Sequence, residues 1–346
     1  MNAFASFIGP GIDFLIYAFM ACTPILFGTL GEIVNEKSGH LNLGVPGMMA
    51  IGGTAGFLVG YYSNNLVLAL LGAFLGGMLG SLIYAVLTVT FMANQNVTGL
   101  TLSIFGVGLA NFAGKFALHA SGLGTLKLPD EINSQLLNIP IPLLSWIPQV
   151  GQYFSVNIFV YLAVIIAALL SIYLHHTKAG RDLRAIGENP AAADAAGIHV
   201  VRMKYIHLLL GGGICGLGGA YAAMITGGGV WGSDFVGELG WIAVALVIFA
   251  AWKPGRAVLG AFVFGALRVL RFRLTALIMA PAALVPEWQD GLTGVATFFK
   301  DNIPEGVFDM LPFLMTALVL IITSMRKSKE GLQPASCGTN YFREER

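Results

Sequence analysis

The sequence predicts an all-α membrane protein, a polytopic transmembrane bundle of about nine spans that includes broken or re-entrant helices. Three observations carry that expectation. The chain is 56% hydrophobic and only 11% charged, where a soluble domain carries roughly 25% charged residues. Its mean hydropathy is +0.77. The charges gather between long apolar runs instead of decorating them, and most runs approach the ~20 residues needed to cross a bilayer core.

The runs fall at 13–31, 42–62, 66–92, 98–118, 155–177, 204–226, 236–252, 256–275 and 307–325. The first has no Lys or Arg before Lys37, so it lacks the basic start of a cleaved leader and reads as a span. The second opens on Gly44-Val45-Pro46-Gly47. The third carries Gly72, Gly76 and Gly80, and the sixth carries Gly212, Gly216 and Ala220. Small residues four apart let helix backbones approach closely in lipid. Residues 119–152 hold one lysine and four prolines and are expected outside. The 178–204 loop is expected in the cytoplasm, because it carries Lys178, Arg181, Arg184, Arg202 and Lys204. The 236–252 run is short for a span and reads as broken or re-entrant. Residues 276–306 form a second outer segment, with an interfacial helix around Trp288 to Lys300. Arg326, Lys327 and Lys329 place the chain end inside. The expected division is a membrane domain over 1–330 and a cytoplasmic tail over 331–346, with the N-terminus outside.

Polar groups inside a span are costly, so the functional reading is the default for them. Asn42, Asn94, Gln95, Asn96, Asn111 and Arg268 qualify. Amides donate and accept without carrying charge, which suits a neutral, hydroxyl-rich solute. Phe105, Trp231 and Trp241 read either as faces for a base or sugar or as lipid-facing residues. The expected solute path takes in Asn42, Asn94, Gln95, Asn96, Phe105 and Asn111. Gly44-Val45-Pro46-Gly47 and Gly237-Glu238-Leu239-Gly240 open runs that enter from opposite sides, the mark of an inverted repeat. Acidic residues are hard to find near the middle of any span.

Signatures of catalysis are missing. None of the six histidines builds an H-E-x-x-H, there is no G-x-S-x-G, and Gly114-Lys115 is followed by Phe116, so no P-loop is present. Cys22, Cys215 and Cys337 have no paired or metal-type spacing. A net charge of +1 gives no nucleic-acid signal. A translocating chain without enzymatic chemistry, metal or cofactor is expected.

The charged island between the fifth and sixth runs is the most specific feature. Asn189 can cap a helix beginning at Pro190, Ala191 to Ala196 with Asp194 continue it, and Gly197 suits the left-handed residue that ends it. A helix of two turns is marginal in water and requires a docking partner. Gly187-Glu188-Asn189-Pro190 followed by Ala195-Ala196-Gly197-Ile198 resembles the cytoplasmic coupling loop of ABC-importer permeases, of the simple-sugar and nucleoside type related to ribose and branched-chain amino acid permeases. Leu30 to Ile33, then Gly39 to Met49, is similar to the opening of the smaller permease subunits of that family, with Pro46 where an acidic residue is expected. Met310 to Thr316 is a third such segment. The resemblance implies two copies of a separate ATPase that binds ATP and Mg, a second homologous permease, an extracytoplasmic substrate-binding lipoprotein and a place in the bacterial plasma membrane. It also implies that Gly187, Glu188, Asn189, Pro190, Asp194 and Gly197 transmit ATPase motion. The alternative is a secondary transporter of a small neutral solute coupled to an ion gradient, which requires an intramembrane carboxylate.

Overall fold

A computed structural model describes residues 2–136, 139–140, 155–279, 310, 314–318, 321 and 333–342. These residues are almost entirely helical. The long helices are α1 (Asn2–Lys37), α2 (Val45–Ser63), α3 (Leu66–Ala85), α4 (Gln95–Ser121), α6 (Ile158–His176), α9 (Val200–Tyr221) and α11 (Pro254–Met279). Shorter ones are α5 (Asp130–Leu136), α7 (Lys178–Glu188), α8 (Pro190–Ala195) and α10 (Leu239–Ala250). Residues 139–140 and 155–156 pair as two short antiparallel strands, β1 and β2. Local chemistry sets several helix starts. The side chains of Asn65, Asn94, Asn157, Thr177 and Asn189 each accept from a backbone N–H of the first turn they precede, which satisfies donors a helix start leaves open.

Five helical stretches among the described residues are long and apolar enough to cross a membrane: 13–37, 66–90, 95–121, 158–176 and 200–226. They match the first, third, fourth, fifth and sixth expected runs. The second, seventh and eighth runs are helical as α2, α10 and α11, with α10 only 12 residues long. The ninth run, the interfacial helix near Trp288 and most of 276–306 lie outside the described residues, as do 141–154 of the expected outer loop.

The core is where α1, α2, α3 and α9 meet, with α10 and α11 closing against α1. Glycine decides how close the backbones come. A methyl group on Gly77 of α3 would lie 2.2 Å from the Gly212 carbonyl oxygen of α9, and one on Gly52 of α2 would lie 2.3 Å from Gly216 Cα. Gly72, Gly76 and Gly80 face α2, and Gly212 and Gly216 face α3, so both small-residue rows are packing surfaces. Ser81 adds a hydrogen bond to the Leu208 carbonyl at 2.6 Å. Both α3 and α9 end in a π-type turn, at Val86–Thr90 and Ala222–Thr226, a feature frequent near functional sites.

Residues 331–346 do not behave as a separate tail where they are described. Ser336 N donates to the Gly187 carbonyl at 2.9 Å, and Ser336 Oγ donates to the same carbonyl at 2.6 Å. Asn340 donates to the carbonyls of Met92 and Ala93, and Tyr341 donates to Asp194 at 2.9 Å. The segment 333–342 therefore straps α7 and α8 to the start of α4.

Candidate functional site

Two stretches of irregular backbone interrupt the bundle, and each is tied to the helices around it by hydrogen bonds. The first, residues 38–44, follows α1. Gly28 of α1 lies beside Val45, since a methyl group there would sit 3.4 Å from a Val45 methyl. Residues 28–37 of α1 thus extend about 13 Å past the start of α2 at the helical rise of 1.5 Å per residue, and 38–44 climbs back over that depth. Side chains from three helices, α1, α3 and α4, bond to it. Glu32 Oε1 accepts from Asn42 N at 2.9 Å, and Gln95 Oε1 accepts from Leu41 N at 2.9 Å. Tyr84 donates to the Leu41 carbonyl at 2.8 Å, and Ser103 donates to the Leu43 carbonyl at 2.6 Å. Asn42 turns inward on its own segment, its Oδ1 accepting from Gly44 N at 2.8 Å. Glu32, Asn35, Glu36, Ser38, His40 and Asn42 are all buried.

The second, residues 227–238, follows the π-type turn of α9. Its first half pairs with residues 126–128, between α4 and α5 in the loop expected outside (the outer cap): Leu128 N donates to Gly229 O at 2.8 Å, and Trp231 N donates to Leu126 O at 2.9 Å. Its second half reaches the middle of α4. Asn111 Nδ2 donates to Asp234 Oδ1 at 2.8 Å, and Asp234 N donates back to Asn111 Oδ1 at 3.2 Å. Asp234 has φ +54 and Gly237 φ +47, so the chain turns sharply there. Asp234, Phe235, Val236 and Gly237, with Ala50, Val107, Ala110 and Asn111, line a cavity of about 170 Å³. Trp231 and Phe235 meet edge to face at 5.3 Å between ring centroids, and the Trp231 indole N–H is buried without a hydrogen-bond partner among the described residues.

The helices that follow the two breaks touch at their first turns. A methyl group on Gly240 of α10 would lie 2.6 Å from Pro46 Cα of α2. Beyond them, Thr29 of α1 donates to the Ala243 carbonyl at 3.1 Å. At the end of α10, Ala251 and Trp252 both take left-handed conformations, φ +48 and +55, which strain non-glycine residues by about 1–3 kcal/mol each. The Trp252 indole N–H donates to Glu36 Oε2 and pins this corner to α1.

The expected path residues therefore do not form one group. Asn111 lines the cavity. Asn42 and Gln95 satisfy the backbone of 38–44, and Asn94 caps α4 through Val97 N at 3.1 Å. Asn96 and Phe105 are exposed on α4, Trp241 is exposed on α10, and Arg268 is half-buried on α11. Glu32, Glu36, Asp234 and Trp252 escaped the sequence reading. Asp234 is one of two acids, with Glu238, within Gly227 to Gly240, a glycine-rich break between apolar runs, and that setting is the signal that could have marked it. Its pairing with Asn111 also supplies the carboxylate level with the middle of a span that the sequence hides.

At one end of the bundle the charged island folds as its residues predict. Asn189 Oδ1 accepts from Ala192 N at 3.0 Å, Pro190 starts α8, and Gly197 has φ +84. Ala191, Ala192, Ala195 and Ala196 are exposed, whereas Ala193 packs on Ile186 and Val200. Glu188 is exposed and accepts from Ala335 N at 3.4 Å. Gly187 has no room for a side chain, since a methyl group would lie 2.5 Å from the Lys37 carbonyl oxygen.

Comparison with known proteins shows the family. The family model for the permease component of the branched-chain amino acid transport system matches residues 14–300. A putative glucose ABC transporter permease protein of Haloferax volcanii is 31% identical over 94% of this chain and 95% of its own. A nucleoside ABC transporter permease protein of Lactococcus lactis is 28% identical over 96% of each chain, and a guanosine ABC transporter permease protein of Bacillus subtilis is 30% identical over 88% and 89%. Family membership implies a multi-pass membrane protein that translocates without enzymatic chemistry of its own and works with an ATPase and a substrate-binding protein. With its membrane-spanning helices, its two broken segments and its capped cytoplasm-type loop helix, this chain belongs to the family of ABC transporter permease components typified by the branched-chain amino acid transport system.

Proposed function

We propose that this chain is one permease subunit of an ATP-driven importer of nucleosides or simple sugars, working by alternating access. The observation that carries the reading is the meeting of the two interrupted segments at Pro46 and Gly240, beside the Asn111–Asp234 pair. Broken helices of two repeats that converge inside a bundle place polar backbone and side chains at a solute path, the arrangement expected of an inverted repeat. Asp234 and Asn111 together accept and donate, which suits a sugar hydroxyl pair, and Trp231 with Phe235 supplies aromatic faces nearby. A cavity of about 170 Å³ is smaller than the ~300 Å³ of a small-molecule pocket, so the path is constricted in this conformation. Names of relatives that carry glucose, nucleoside and guanosine support the solute class.

In this reading Gly187 to Gly197 is the lever. The exposed alanine face of α8 docks in a groove of the ATPase, Glu188 meets a basic partner residue, and the strap of 333–342 transfers motion towards α4. The second subunit is a homologous permease, a binding lipoprotein delivers the solute outside, and the complex sits in the plasma membrane. The test is uptake of labelled nucleosides and sugars by the reconstituted complex, with ATPase activity stimulated by the loaded binding protein. Orientation is tested by thiol labelling in a Cys337→Ser background, since Cys22 and Cys215 are buried. Gly124→Cys should label from outside and Ala192→Cys from inside; both are exposed positions. Labelling of both from one side would overturn the topology.

A further inference from the structure

A second and larger cavity, about 490 Å³, lies at the opposite end of the bundle from the outer cap, between the coupling helix, the end of α3, the start of α9 and the strap. Its walls are divided by chemistry. Val89, Met92, Val200 and Val201 form an apolar side. The polar groups contributed by Asn340, Thr88 and Tyr341 are already engaged, donating to the carbonyls of Met92 and Ala93, to the Tyr84 carbonyl and to Asp194. Lys204 is different. It is 4% exposed, lines the cavity, and makes no hydrogen bond or ion pair with any described residue. A buried ammonium without a counter-charge is strongly unfavourable, so its three donors call for an anion. Arg202 stands at the rim with an exposed side chain and adds a second positive charge, and exposed His199 adds a ring N–H donor. His40 lines the same space and is buried. The one acid among the described lining residues, Asp194, accepts from Tyr341.

We propose that this cavity binds a phosphate ester, with the phosphate on Lys204, Arg202 and His199 and the organic part against the valine and methionine wall. The volume fits a sugar phosphate or a nucleotide. Such a ligand bridges α9, the coupling helix and the strap, and would hold the lever against the bundle. The inference rests on the import reading only for its physiological sense: imported sugars and nucleosides are phosphorylated by kinases of the cytoplasm, and accumulated ester would slow further uptake. The same phosphate chemistry is offered by an anionic lipid headgroup, because the cavity sits where a span leaves the membrane.

The test uses the complex purified with its native subunits in phosphatidylcholine nanodiscs, probed with radiolabelled ribose 5-phosphate and, as control, ribose. Ribose 5-phosphate avoids the nucleotide sites of the ATPase. Binding of the ester but not of ribose, weakened about tenfold or more in Lys204→Gln and in the rim variant Arg202→Gln, supports the site and a soluble ligand. In a second arm, native mass spectrometry of complex taken from native membranes reads co-purified anionic lipid. Retention by wild type and loss in both variants supports the site with lipid as the phosphate source. No ester binding and no variant-dependent lipid, or equal binding in wild type and variants, overturns the proposal. Binding is read without transport, so a complex that binds ester but imports nothing sinks the import reading alone, and one that imports normally but binds no phosphate sinks this inference alone.

Discussion

The two interruptions of the bundle do the same topological job and are built in opposite ways. Residues 38–44 are held by side chains from α1, α3 and α4, with Glu32, Ser38, His40 and Asn42 at most 1% exposed. Residues 227–238 are held mainly by their own turns, two bonds to the outer cap and one Asn–Asp pair, and Asp234 stands exposed beside a cavity. A segment bonded through buried side chains of three neighbouring helices cannot shift without breaking buried hydrogen bonds. One held by a few exposed bonds can rearrange at low cost. The 38–44 break is thus a fixed anchor for α2, and the 227–238 break is the adaptable one.

The largest effect expected from that contrast is in the 38–44 segment. Glu32→Ala orphans the Asn42 N–H and the Asn35 amide, each at a cost of about 1–3 kcal/mol. Glu32→Ala should therefore yield little folded protein, and Glu32→Gln should recover part of it by keeping one acceptor. Size-exclusion profile and melting midpoint in detergent report this, and a wild-type melt for Glu32→Ala would break the comparison. Next in size is Asp234→Ala, which should lower solute uptake about tenfold while shifting stability by less than ~1 kcal/mol, as its bonds are exposed. Equal destabilisation by the two substitutions would mean that both breaks are anchors.

A smaller effect is expected at the lever. Gly197→Val forces a β-branched residue to φ +84, and Glu188→Ala removes an acceptor for Ala335 N. Both should leave the protein inserted while reducing ATPase stimulation by loaded binding protein severalfold; unchanged stimulation and uptake in both would reduce 187–197 to an ordinary loop. The smallest effect separates two neighbours in sequence. Asn94→Ala should cost about 1 kcal/mol through loss of the α4 cap, and Asn96→Ala, exposed, should stay within ~0.5 kcal/mol and leave uptake unchanged. A marked loss of uptake in Asn96→Ala would restore the path expected along α4.

Much of this was legible in residue order. The capped α8, the left-handed Gly197 and the glycine rows of α3 and α9 depend on spacing within a few residues, and the structure follows them closely. The break near 236–252 was visible as an apolar run too short to span. The use of the amides was not. Asn42 and Gln95 look alike as intramembrane amides, and only the return of 38–44 into the bundle shows them bonded to its backbone. The strap was hidden for the same reason, because Ser336 and Gly187 are partners 149 residues apart in the chain.

By itself the sequence determined the membrane class, most helix positions, the coupling-loop helix and the family, because hydropathy, capping and motif are local properties that need no partner. Only the tertiary structure decided which polar residues are scaffold and which face open space. Hydrogen bonds are satisfied between segments far apart in the chain, so the role of Glu32, Lys204 or Asp234 exists only once those segments have met.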